Sequence, residues 1–331
     1  MSKLINSPEH IVREMLEGFA RAYPGHVTLT DELLVVRRTP KAPGKVGLVI
    51  GNGSGHEPAM VGWVGPGLLD VNVPGEIFTA PDPKRIASGI AAAERGAGVL
   101  LLVSSHAGDV LNAEIAVEMA RDEHRCVEMV RLYDDVASAP KGQEHDRRGG
   151  AGLFFVWKIV GALAETGASL EACMRMAERV RDRTRTVTLA LRPGTHPLTG
   201  RAMFELPPDE MEIGVGVHGE VGRGRMKRLS ADETMDRMAE WVLDDRPLHR
   251  GDETLVLLNN SGGMTLMELF ILNRRLAQVL EARGVAVYRT WIGSYATTQE
   301  TAGVALSLCV VDEEMKQLYD APADAPYFRQ C

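Results

Sequence analysis

Cysteine is scarce in this chain: four of 331 residues, Cys126, Cys173, Cys309 and Cys331, never spaced as C-x-x-C. That scatter argues against a disulfide framework or a zinc ribbon and leaves reduced thiols, most of them within apolar-periodic segments. Long apolar runs are also missing. Nowhere do about 18 uncharged apolar residues follow one another, and the opening MSKLINSPEHIVREM lacks the apolar centre of a secretion signal. A cytoplasmic protein with no membrane span is expected. Aromatics make up only 5%, and the net charge is −8 with no dense Lys/Arg stripe, so no nucleic-acid partner is expected. No repeat period or low-complexity tract occurs, which sets solenoids aside.

What is present is an ordinary globular composition, 45% hydrophobic and 25% charged, long enough for two packed units at roughly 150 residues each. Ser7-Pro8-Glu9 reads as a helix start with Ser7 as cap. The apolar face Ile11, Met15, Phe19, Ala22 follows before Pro24-Gly25 ends the helix. A strand–turn–helix alternation then sets in. Val46 to Ile50 and Gly98 to Val103 are short apolar runs, and helices are predicted over 110–121, 153–164 and 170–180. A basic stretch, Arg181 to Arg185, marks a change of texture, and the boundary is placed there, giving units 1–184 and 185–331. Strands are predicted again over 186–191, 212–217, 254–258, 285–290 and 304–311, with a long helix over 265–283. The fold class expected is α/β, two domains each with a mixed β-sheet flanked by helices.

Three segments carry residues suited to chemistry. Gly51-Asn52-Gly53-Ser54-Gly55-His56-Glu57-Pro58 follows a strand, and its glycines allow close backbone approach. It lacks the G-K-[ST] ending of a nucleotide phosphate loop, places His56 where a dinucleotide fingerprint needs glycine, and does not form a nucleophile elbow around Ser54. A tight turn without ligand is the plain alternative. Ser104-Ser105-His106-Ala107-Gly108-Asp109 lies between a strand and a helix, where open α/β sheets bind ligands, although Asp109 could equally cap the helix. Gly214-Val215-Gly216-Val217-His218-Gly219-Glu220 presents a histidine between glycines. A fold that gathered His56, His106, Asp109 and His218 could also hold zinc.

Together these segments resemble the substrate-binding K subunit of the dihydroxyacetone kinase family, whose signatures are a GGGSGHEP-type turn, a TGD-V-L-N turn and a GIHGEPG-type strand end. Here they read GNGSGHEP, AGDVLN and GVHGEVG, joined by Pro74-Gly75-Glu76-Ile77-Phe78-Thr79, Asn259-Asn260-Ser261-Gly262-Gly263 and Asp320-Ala321-Pro322. The resemblance implies a phosphotransferase, a dihydroxyacetone (glycerone) kinase subunit. In it His218 binds the ketose carbonyl reversibly as a hemiaminal, His56 hydrogen-bonds the ketose oxygen, and Asp109 accepts the proton of the attacking hydroxyl. Gly53, Ser54, Ser104, His106 and Glu220 are the further substrate-binding residues it implies, and no metal ligand.

No nucleotide-binding segment is found in the sequence, so the resemblance implies that ATP or ADP with magnesium sits on a separate L-type partner. That partner would exchange nucleotide or be recharged by an M-type phosphotransferase-system subunit. A homodimer is expected on the same ground. The chain departs from the family at the K-N-Y-T-G-D stretch, where Ser104 stands for the lysine and His106 enters. Asn52, Met60 and Val221 replace a glycine, a polar residue and a proline. These departures suggest a pocket retuned toward a related ketose such as erythrulose. A ketose-sensing coregulator without catalysis is the alternative of a different class, and a zinc hydrolase the third.

Overall fold

The computed structural model describes residues 3–220 and 222–331. Met1, Ser2 and Val221, the last being the departure after His-Gly-Glu, lie outside the described residues. Helix α1 (Ile11–Ala22) is preceded by a single tight turn at Pro8–His10, and Ser7 makes no side-chain capping bond. Strands β1 (Val27–Leu29), β2 (Val35–Arg37), β3 (Gly47–Ser54) and β4 (Val71–Ile77), helix α2 (Pro83–Ala93), strand β5 (Val99–Ser104), helix α3 (Ala107–Asp122) and strand β6 (Val127–Leu132) follow. They build a mixed sheet in the order β1-β2-β4-β3-β5-β6, parallel from β4 through β6 and antiparallel at the β1-β2-β4 side. Every residue of β3 and β5 is buried, as expected of central strands covered on both faces.

Helices α4 (Leu153–Glu165) and α5 (Leu170–Arg183) come next. Apolar on all sides, α4 is buried along almost its whole length, which is where such a helix must go. Its one cation, Lys158, donates from Nζ to Leu318 O at 3.0 Å and Ala321 O at 2.8 Å. Burial pushes its ammonium down to about 8. Across the basic stretch at 181–185, α5 runs straight into β7 (Thr184–Arg192).

The remaining elements are β8 (Glu210–Ile213), β9 (Gly224–Lys227), α6 (Ala231–Asp245), β10 (Glu253–Asn260), α7 (Leu266–Ala282), β11 (Ala286–Gly293), β12 (Ala302–Val311), α8 (Glu313–Asp320), β13 (Ala323–Ala325) and β14 (Phe328–Gln330). Both α6 and α7 open on a reciprocal capping box, Ser230 with Glu233 and Thr265 with Glu268. The second sheet runs β11-β10-β12-β7-β8-β9, with only the β10–β11 pair parallel. Helices α6 and α7 cover one of its faces through a core that includes Met238, Leu258, Leu276 and Leu306.

The other face shares a core with the first sheet, in which Leu255, Leu257 and Cys309 meet α1, α4 and α5. Residues of α8, β13 and β14 complete that core, among them Tyr319 and Phe328. Gly67 is needed where the hairpin lies down: its φ is +75°, and a β-carbon there would stand 2.3 Å from Pro322 O. A buried charge cluster also ties the halves. Arg147, 1% exposed, donates to Asp245 on α6 at 2.9 Å, and Arg185 of β7 donates to the same carboxylate. Among the described residues no helix is long and apolar enough to cross a membrane.

Candidate active site

Each of the three segments sits at a strand end. His56 follows β3, Ser104 ends β5, His106 and Asp109 stand at the start of α3, and His218 belongs to the loop after β8. They converge on one cavity of about 70 Å³, lined by Gly53, His56, Ser104, His106, Asp109 and His218, and also by Phe154, Tyr295 and Asn259. The ring centroids of His56 and His106 lie 5.0 and 5.2 Å from that of His218. Phe78, held at a φ of +55°, packs its ring against both histidines, 5.1 Å from His56 and 5.5 Å from His218.

Hydrogen-bond partners fix the tautomers of two rings. His56 Nδ1 lies 2.9 Å from Thr297 O, and a carbonyl only accepts, so Nδ1 carries the proton. His218 Nδ1 lies 3.0 Å from Glu220 Oε1. Burial works to raise the Glu220 carboxyl, but the hydrogen bond and charge of His218 outweigh it and hold the group well below the carboxylate range. Glu220 is therefore an acceptor, and His218 Nδ1 is a donor. The two Nε2 atoms then face each other at 3.1 Å, and one proton between them satisfies both. Burial, and next the charge of His218, push the His56 imidazole down to about 3.

The opposite wall is different. His106 Nδ1 stands 3.1 Å from Ser104 Oγ and 3.9 Å from Asp109 Oδ2. Its Nε2 is buried without a hydrogen-bond partner, and so is Asp109 Oδ1. Burial drives the His106 imidazole down to about 4 and, against the opposing charge of His218, the Asp109 carboxyl up to about 7. A carboxyl titrating near neutrality beside a cavity is what general-base work requires.

Not every sequence expectation reaches the cavity. Ser54 does not line it: the residue belongs to β3, and its Oγ donates to Gly75 O at 2.7 Å, which consumes the hydroxyl. Glu220 stands behind His218, receiving its backbone N–H at 2.9 Å as well as its ring. Asp109 is not the cap of α3; His106 occupies that position, without a side-chain capping bond. Two contributors were not singled out from the sequence. Thr297 acts through its carbonyl, which no residue type signals. Arg148 reaches Asp135 Oδ2 at 2.9 Å and Gly214 O at 3.1 Å, bracing the His218 loop against the first half. Its pairing with Arg147 ahead of Gly149-Gly150 was the available clue.

His56, His106, Asp109 and His218 do come together, as a zinc reading requires. The tightest metal-like group is His106, His218 and Glu220, with ligand atoms within 4.8 Å of one another. Both Glu220 oxygens already receive bonds from His218, so a cation there would compete with the contacts that hold the loop.

A family model described as Dak1 domain matches residues 17–327. The dihydroxyacetone-binding subunit DhaK of a PTS-dependent dihydroxyacetone kinase from Listeria innocua is 40% identical over 314 residues, covering 95% of each chain. A D-erythrulose kinase of Mycolicibacterium smegmatis is 38% identical over 330 residues, all of this chain and 57% of that protein. Among solved structures, the dihydroxyacetone kinase from C. freundii in complex with AMP-PNP and Mg2+ superposes with a TM-score of 0.90 at 30% identity, spanning 99% of this chain and 61% of that one. The chain belongs to the Dak1 family, that of the dihydroxyacetone kinases and their dihydroxyacetone-binding subunits.

Proposed function

We propose that this chain is the ketose-binding subunit of a dihydroxyacetone-type kinase, holding its substrate as a hemiaminal on His218. The observation that carries this reading is the His56–His218 pair, whose Nδ1 atoms are both occupied and whose Nε2 atoms face each other at 3.1 Å at the cavity. A ketone entering between the rings is attacked at carbon by His218 Nε2. As it enters, the shared proton passes to His56 Nε2 and frees the His218 Nε2 lone pair; the carbonyl π electrons move to oxygen, which takes that proton from His56. Glu220 keeps the alkylated ring stable by accepting from Nδ1. Glycerol has no carbonyl and cannot be held this way.

The terminal hydroxyl of the anchored sugar then attacks phosphorus, its proton passes to Asp109, and the bond from phosphorus to the donor's leaving oxygen breaks. An L-type partner carries the donor, ATP or ADP with magnesium, with or without recharging by an M-type phosphotransferase-system subunit. This chain itself holds no nucleotide. The relative's description as a dihydroxyacetone-binding subunit supports such a division of labour. Intact-protein mass spectrometry tests the anchor: incubation with dihydroxyacetone is expected to add the mass of one ketose, and glycerol none. A protein that no ketose modifies would end this reading.

The same proposal includes a homodimer. On α7, Leu266, Met267, Phe270 and Ile271 are exposed, the most by 67%, beside β11, which forms one edge of the second sheet. An apolar helix face next to a free strand edge favours pairing with a second copy. Phe270→Glu is expected to shift the species seen by light scattering from dimer to monomer; a wild-type monomer at micromolar concentration refutes it.

A further inference from the structure

The His56–His218 pair accounts for a ketose carbonyl, and Asp109 for one hydroxyl. His106 has no task in that scheme, although it lines the same cavity. Its Nε2 and the Oδ1 of Asp109 are buried and unpartnered, while Ser104 Oγ at 3.1 Å holds the Nδ1 side of the ring and Asp109 Oδ2 stands 3.9 Å away. Two polar atoms left unpaired on neighbouring side chains are costly when empty and selective when filled. The occupant must be able to donate to a carboxylate and either donate to or accept from an imidazole. A hydroxyl does both.

Charge narrows the class further. Burial keeps His106 uncharged near neutrality, so the wall offers no cation for a phosphate or carboxylate, and Asp109 would repel one. A neutral polyhydroxy ketone is what remains. A three-carbon ketose anchored at its central carbon presents one terminal hydroxyl to this wall, which satisfies Asp109 and leaves His106 Nε2 bare. A four-carbon ketose brings a second hydroxyl on the adjoining carbon.

We propose that His106 and Asp109 form a paired seat for two adjacent hydroxyl groups, and that His106 is the residue through which this site selects a tetrulose over shorter or deoxygenated ketoses. This rests on the ketose-binding reading above. Selection arises because a site built to bond a hydroxyl penalises the analogue that lacks it more than an apolar pocket could.

The test compares capture of erythrulose, in both enantiomers, with capture of 3-deoxytetrulose, which differs only by that hydroxyl, as half-saturating concentrations read by intact-protein mass spectrometry. Wild-type protein is expected to take up one erythrulose enantiomer at roughly tenfold lower concentration or less than the deoxy analogue, and to prefer it to dihydroxyacetone. His106→Phe should bring the erythrulose-to-deoxy ratio close to one by weakening erythrulose alone. His106→Asn, which keeps a donor and an acceptor, should recover part of it. A wild-type ratio near one, or a His106→Phe effect equal for both ketoses, overturns the role of His106 while leaving the anchor intact. Absence of any adduct with any ketose overturns the anchor itself.

Discussion

His218→Ala is expected to yield a folded protein that no ketose modifies. In the proposed scheme this ring is the nucleophile, its Nε2 facing His56 and its Nδ1 3.0 Å from Glu220 Oε1, so its loss removes the anchor. Folding should survive. The His218 side chain is 26% exposed, and Glu220 keeps the backbone N–H of residue 218 at 2.9 Å and the Arg148 guanidinium at 3.9 Å. Water can reach the vacated space, so no charge is stranded in an apolar core. Intact-protein mass spectrometry gives the answer directly: the adduct peak present in wild type should disappear, and phosphoryl transfer with it. An adduct of undiminished occupancy in the alanine variant would move the anchor to another residue.

Asp109→Asn separates capture from transfer. Removing the base should cost roughly 10²–10⁴-fold in turnover, the usual worth of a positioned proton acceptor, while the ketose adduct remains. The pH dependence has a definite sign. Burial raises the Asp109 carboxyl to about 7, so the base form predominates above that pH and wild-type turnover should fall as pH drops through 7. Stability runs the other way. A carboxyl whose value is ordinary when unfolded, 3.8, and raised when folded makes the native state lose stability as pH rises from about 4 toward 7. The asparagine variant escapes that loss, so at neutral pH it should melt no lower than wild type. A coregulator that only senses ketose would show capture without transfer in both proteins, and equal turnover in wild type and variant would remove Asp109 from the mechanism.

Much of the architecture was legible because period and punctuation agreed. Helices α4, α5 and α7 fall within a few residues of their predicted spans, and the α/β alternation produced two mixed sheets flanked by helices. The misplacements have local causes. Gly51 to Ser54 reads as a turn, yet these residues form the buried end of β3, where Asn72 Nδ2 donates to Asn52 Oδ1 at 2.6 Å and ties the polar segment into the sheet. The strand predicted through Val217 stops at Ile213, because Gly214 takes a φ of +81° that no strand sustains.

The site was legible at its side chains and opaque at its supports. His56, His106, Asp109 and His218 announce themselves by type and by their glycine neighbours. Asn259 does not: its Oδ1 accepts from the backbone N–H of Tyr295 and Ala296, both at 2.9 Å, and so aims the Thr297 carbonyl at His56. A bond that passes from a strand end through a loop's backbone leaves no trace in spacing.

The closing hairpin has a consequence for how the polypeptide acquires its shape as it is made. Trp63 and Phe154, ring centroids 4.6 Å apart, are covered by Phe328, whose ring also stacks on Trp291 at 4.3 Å. A ribosome delivers residues 63 and 154 long before 291 and 328, so the early half emerges with its largest aromatic surface bare. It must wait, or be sheltered by chaperones, until residues 291–328 have been made. Maturation of this core is thus gated by synthesis of residues 291–328, and products stalled before them should be aggregation-prone.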